Sequence, residues 1–106
     1  MIACSAAHAQ VQYVITDLGS LGGAQPVSEA WDINDAGQVV GSSSTSAGTR
    51  GFIWDATNGM VSLGDLTGGM NYSIAKAINA SGDVVGASSA TSGTRGFIWN
   101  VLTGMT

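Results

Sequence analysis

The chain has 106 residues, enough for about one small domain or two to three copies of a short repeat, which excludes a large multidomain enzyme. Charged side chains make up 9% of it, against roughly 25% in an ordinary soluble domain, and 16 glycines accompany a single proline, a composition that disfavours long charged helices and fits short strands joined by tight turns. Three cations, Arg50, Lys76 and Arg95, stand against seven carboxylates for a net charge of −4, so nucleic acid and anionic membrane are excluded as partners for want of clustered positive charge.

In chain order, residues 1–9 read as the remnant of a signal peptide. Ala7-His8-Ala9 before Gln10 matches the small-x-small pattern that signal peptidase cleaves. No Lys or Arg precedes it and the apolar stretch is short, which places the start of the signal upstream of Met1. Cys4 is the one cysteine and His8 the one histidine, so the chain has neither an intrachain disulfide nor a thiolate pair for a metal. Residues 10–27 read as the last strand of a preceding unit, Tyr13–Leu21, and its connection.

From there the chain repeats. Shifted by 45 residues, Asp17–Val61 superposes without a gap on Ser62–Thr106, and 23 of the 45 paired positions are identical. The first unit, 28–72, carries strands expected at Ser28–Asn34, Gln38–Ser43, Gly51–Trp54 and Met60–Leu66. The second, 73–106, carries them at Ser73–Asn79, Asp83–Ser88 and Gly96–Trp99, and is expected to lack its fourth strand. Asn34 to Gly37 and Asn79 to Gly82 begin with Asn and end with Gly, the chemistry of a hairpin turn whose last residue is left-handed. Asp55 to Gly59 and Asn100 to Gly104 follow the same logic, whereas the Ser/Thr/Gly stretches Ser42–Thr49 and Ala87–Thr94 read as longer exposed loops. Continuous apolar runs such as Val39-Val40 and Phe52-Ile53-Trp54 imply strands covered on both faces, with Gly41 and Gly51 beside them where a neighbouring backbone approaches closely. The expected fold class is all-β: tandem antiparallel four-stranded blades of about 45 residues, propeller-like and incomplete at about two blades.

The unit Ala30-x-x-Ile33-Asn34-x-x-Gly37-x-Val39-Val40-Gly41, an Arg-Gly-Phe-Ile-Trp block, then Gly59-Met60-Val61-x-Leu63-Gly64-x-Leu66, resembles the bacterial extracellular HAF repeat over essentially everything after Gln12. The resemblance implies a secreted, repeat-built, propeller-like β protein without assigned catalytic activity. Where that family commonly reads His-Ala-Phe, this chain reads Arg50-Gly51-Phe52 and Arg95-Gly96-Phe97, so no role of that histidine carries over.

Catalytic and metal chemistry finds little purchase. No histidine after Ala9 is present to activate a nucleophile or bind zinc. Asp32-x-Asn34-x-Ala36-Gly37 has alanine at a calcium-ligand position and reads as a turn. Asp32, Asp35 and Asp55 become Ala77, Ala80 and Asn100 in the second unit, which argues against a duplicated carboxylate pair for sugar hydrolysis. The expectation is a non-enzyme with no cofactor and no metal: a secreted or cell-surface repeat module with a structural or protein-interaction role. The alternative is a lectin-like, carbohydrate-binding propeller completed by oligomerisation, using Arg50, Arg95, Trp31, Trp54 and Trp99. Expected partners are protein or carbohydrate at the cell surface and, if the chain is complete, further copies of itself; no membrane span is expected.

Overall fold

The computed structural model describes residues 14–23, 26–66, 68 and 71–106. The signal-peptide reading of 1–9, with Cys4 and His8, and the start of the expected first strand at Tyr13 lie outside the described residues. Among the described residues there is no helix, and the strands form two antiparallel four-stranded sheets. Sheet 1 is a meander of β1 (Ser28–Ile33), β2 (Val39–Thr45), β3 (Gly48–Asp55) and β4 (Gly59–Gly64). Sheet 2 repeats it with β5 (Ser73–Ile78), β6 (Val84–Ala90), β7 (Gly93–Asn100) and β8 (Gly104–Met105). The sequence period survives to single backbone pairs: Val40 faces Ile53 and Gly41 faces Phe52, as Val85 faces Ile98 and Gly86 faces Phe97.

Local chemistry explains where the strands turn. Asn34 Oδ1 accepts the Gln38 N–H at 2.9 Å while Gly37 N–H donates to the Asn34 carbonyl at 3.0 Å, with Gly37 at φ +82°. Asn79, Asp83 and Gly82 (φ +87°) repeat the arrangement. Both first strands carry a bulge, between Ala30 and Asp32 and between Ala75 and Ala77. Trp31 and Lys76 are the bulged residues; having no partner opposite, that position tolerates side chains as unlike as indole and ammonium. The glycine opposite each bulge does not vary, because a Cβ on Gly41 would collide with the Glu29 carbonyl oxygen and one on Gly86 with that of Ile74.

Three expectations differ from the structure. The Ser/Thr/Gly stretches are strand rather than loop: β2 and β3 run on to Thr45 opposite Gly48, leaving Ser46 and Ala47 as the turn, and β6 and β7 meet at Ala90 and Gly93. Their hydroxyls bond the flanking chain. Ser43 Oγ accepts the Leu21 N–H at 2.8 Å and Ser44 Oγ donates to the Gly22 carbonyl at 2.6 Å; Ser88 Oγ accepts the Leu66 N–H at 2.9 Å. Residues 14–21 form no strand; side-chain bonds such as that of the Leu21 N–H to Ser43 Oγ hold the segment to sheet 1. The second unit does have a fourth strand, short but paired, with Met105 opposite Trp99 and the Thr106 N–H bonded to the Ile98 carbonyl at 2.9 Å.

The sheets stack with β5 against β1, β2 and β3. One apolar cluster joins them: Val40, Ile53 and Leu63 from sheet 1 with Ala75, Ile78, Val84 and Phe97 from sheet 2, flanked by Leu66, Trp99 and Met105. Each fully buried Val, Ile or Phe of this kind contributes about 1.5–3 kcal/mol.

Candidate functional site

The junction between the sheets is built from a few recurring residues. Call the trailing face of a sheet the surface formed by Val40, Gly51 and Ile53, and the leading face that formed by Ser73, Ala75 and Ile78. At their meeting Gly51 N–H donates to Ser73 Oγ at 2.9 Å, and Ser73 Oγ donates in turn to the Gly64 carbonyl. Gly51 leaves room for the close approach: an added Cβ would lie 3.1 Å from the Ala75 backbone nitrogen, a tight contact. Asp32 Oδ2 accepts the Ile78 N–H at 2.9 Å, and Asn34 Nδ2 donates to the Asn79 carbonyl at 3.0 Å. Thr49 makes a parallel bridge with Tyr72.

The same two sets of residues occur a second time and are exposed among the described residues. Val85, Gly96 and Ile98 are the trailing face of sheet 2; Ser28, Ala30 and Ile33 are the exposed β1 part of the leading face of sheet 1, whose Val39 and Phe52, on β2 and β3, are buried at 8% and 0% exposed. Val40 is 0% exposed and Ile53 9%, whereas Val85 is 45% and Ile98 46%. On the leading side Ile78 is 9% exposed and Ile33 63%. A Cβ added to Gly96 would meet only the Gly86 carbonyl oxygen, at 3.8 Å.

Beside the junction, turns from both sheets enclose an open cleft of about 420 Å³. Asp55, Asn58 and Val61 line one wall, and Asp83, Trp99 and Leu102 the other. Asp55 is held by its own turn: Oδ1 accepts N–H groups from Thr57 at 2.9 Å and Asn58 at 2.7 Å, and Oδ2 the Asn58 amide at 3.1 Å. Donation by the Asn58 backbone, then by its side chain, keeps the Asp55 carboxyl below its ordinary value of 3.8.

The five residues expected to bind a ligand are dispersed rather than gathered. Arg50 is engaged at the junction, Nη2 donating to Asn71 Oδ1 at 2.8 Å and lying 4.0 Å from Asp65 Oδ2. Arg95 turns to its own hairpin, donating to Ser92 Oγ at 2.8 Å. Trp31 is half-exposed with the Lys76 ammonium 4.9 Å from its ring centroid, a cation–π contact that joins the two bulges. Trp54 is half-buried between Val39 and Met60 in sheet 1, and Trp99 packs on the shared cluster while facing the cleft. The three carboxylates weighed for hydrolysis are tied up separately, Asp32 at the junction, Asp55 in its turn and Asp65 at Asn71 N–H and Arg50. Among the described residues no three His, Cys, Asp or Glu side chains stand close enough to share a metal, and no helix is long and apolar enough to cross a membrane. Cleft-lining Asn58 and Asp83 were beyond sequence reasoning, because the cleft is made by turns about one half-unit apart on different sheets. No family model matches the chain, and neither does any curated protein or solved structure.

Proposed function

We propose that the chain is a secreted or cell-surface, non-enzymatic repeat module of the bacterial HAF type, whose sheets are propeller-like blades and whose role is structural or protein-binding, exerted through blade stacking. The observation that carries this reading is the reuse of one surface: Val40, Gly51 and Ile53 cover Ser73, Ala75 and Ile78, and both sets recur, identical in sequence and exposed among the described residues, on the outer sides of the two sheets. Stacked repeats behave in this way, each unit burying its apolar face only on a neighbour. Export rests on Ala7-His8-Ala9 before Gln10. The absence of a duplicated carboxylate or histidine supports a binding role over a catalytic one.

The test is to append a third unit, a copy of residues 62–106 after Thr106. Cooperative stacking raises the thermal midpoint by about 5 °C or more and protects Ile98 from solvent; an unchanged midpoint with Ile98 still exposed overturns the reading.

The cleft favours a second reading, a carbohydrate-binding module. An aromatic face, Trp99, set among carboxylates and amides from Asp55, Asp83, Asn58 and Asn100 is suited to stack a pyranose and accept or donate to its hydroxyls. Sugar-dependent quenching of tryptophan fluorescence, lost in Trp99→Ala, supports it; no response across common hexoses and their oligomers removes it.

A further inference from the structure

We infer that the free trailing face of sheet 2 takes the β1 face of a second copy of this chain, so that copies associate head to tail. The inference rests on the blade-stacking reading above and names its partner.

The covered junction is the template. The strand that fills the trailing face of sheet 1 is β5, reading Ser73-x-Ala75-x-x-Ile78-Asn79; β1 reads Ser28-x-Ala30-x-x-Ile33-Asn34, the same residues at the same spacing around the same bulge. The surface that receives it also recurs, Val85, Gly96 and Ile98 standing for Val40, Gly51 and Ile53 in the same register. Ser28 is set as Ser73 is: its hydroxyl donates to the Gly19 carbonyl at 2.7 Å, as that of Ser73 donates to Gly64, which leaves the oxygen free to accept. In Ser73 that oxygen accepts the Gly51 N–H; in Ser28 it is exposed and positioned for the Gly96 N–H of another copy. Asn79 likewise stands where Asn34 does, with its amide available to the Asn34 carbonyl of that copy.

The template also shows what such an interface lacks. Asp32, which accepts the Ile78 N–H, has Ala77 as its counterpart, and the partners of Arg50, Asn71 and Asp65, have Pro26 and Ser20 as theirs. Apolar contact and two hydrogen bonds are kept; one carboxylate bond and the arginine clamp are missing. Association between copies is therefore weaker than the internal junction and depends on concentration. Because the two faces differ, the contact is heterologous and propagates until a ring closes or chain ends remain free.

The experiment is sedimentation of the full chain over a range of concentrations in reducing buffer, which keeps Cys4 out of the outcome. Species larger than one chain are expected to grow with concentration. Val85→Asp spoils only the trailing face and Ala30→Glu only the leading face. Both positions are exposed, so circular dichroism is expected to remain native and each variant alone to be monomeric, its self-affinity down about a hundredfold. Mixed, they retain one intact pair of faces and form a dimer and nothing larger. Ser20→Asp with Pro26→Asn, which returns the partners of Arg50 to Arg95, tightens association. A wild-type chain monomeric at its solubility limit, or a mixture in which the variants fail to pair, overturns the inference. If the appended third unit nonetheless protects Ile98, the face is filled only within a longer chain, and the stacking reading stands without its second copy.

Discussion

Val40 and Val85 have the same flanking residues, the same place in a strand and an isoleucine opposite on the following strand, with Asp32 and Ala77 opposite on the preceding one, yet one is sealed between two sheets and the other is nearly half open to solvent. Ile53 and Ile98 differ in the same way. The two sheets thus separate what a strand needs to form from what a face needs to be buried. Hydrogen-bond pairing, hairpin turns and bulge glycines are satisfied within each unit, and both units have them. Burial of the trailing face is supplied by the next unit, and among the described residues sheet 1 has such a neighbour while the trailing face of sheet 2 is exposed.

The contrast can be broken most sharply with one substitution made twice. Val40→Asp places a charge where no water or partner reaches and is expected to cost about 4 kcal/mol or more, whereas Val85→Asp changes the stability of a single chain by less than about 0.5 kcal/mol; urea unfolding of dilute protein measures both. Equal losses would mean that the faces are not what sets the sheets apart.

Glycine replacements divide the fold into its local and stacking parts. Gly41→Ala and Gly86→Ala each drive a methyl into a carbonyl oxygen across the bulge, so both should cost about 3 kcal/mol regardless of sheet. Gly51→Ala pushes only on the Ala75 nitrogen of the next sheet and should cost about 1–2 kcal/mol, with Gly96→Ala close to neutral. Smaller again is the serine pair. Ser73→Ala leaves the Gly51 N–H and the Gly64 carbonyl without their buried partner, a loss of about 1–2 kcal/mol, while Ser28→Ala, exposed, loses about 0.5 kcal/mol. Thermal or urea unfolding again reads the difference.

The least of these effects is in the turns. Asp55 and Asn100 cap equivalent turns, Asn100 Oδ1 accepting the Leu102 and Thr103 N–H groups at 2.9 Å as Asp55 accepts those of Thr57 and Asn58. Because the folded Asp55 carboxyl titrates below its ordinary 3.8, its contribution is complete above that value and is lost as pH falls through the lowered one. Amide shifts of Thr57 and Asn58 should titrate with a midpoint under 3.8, those of Leu102 and Thr103 should not follow, and Asp55→Asn should make the first turn behave like the second.

The strands and hairpins were legible in the sequence because each is a local matter: Asn34 to Gly37 announces its turn, and the paired Val-Val and Phe-Ile-Trp runs announce strands covered on both faces. The serine-rich stretches misled because their composition suits a solvated loop, and only the folded chain brings Leu21, Gly22 and Leu66 within reach of Ser43, Ser44 and Ser88. The strand expected at Tyr13–Leu21 is not formed over the described residues 14–21, which are tied to sheet 1 by serine hydroxyls, Ser43 Oγ to the Leu21 N–H and Ser28 Oγ to the Gly19 carbonyl, contacts its composition does not announce. Of the candidate ligand residues, only Trp99 lines the cleft, since Arg50 was drawn to Asn71 and Asp65 of the connecting segment, groups the repeat pattern itself does not mark.

The most direct check uses solvent as the probe. In a Cys4→Ser background, Ile53→Cys and Ile98→Cys are labelled with a thiol reagent in dilute native protein. A thiol at position 98 should react at a rate near that of an unfolded control and one at 53 many times more slowly; similar rates at the two positions would contradict the stacked arrangement of the two sheets.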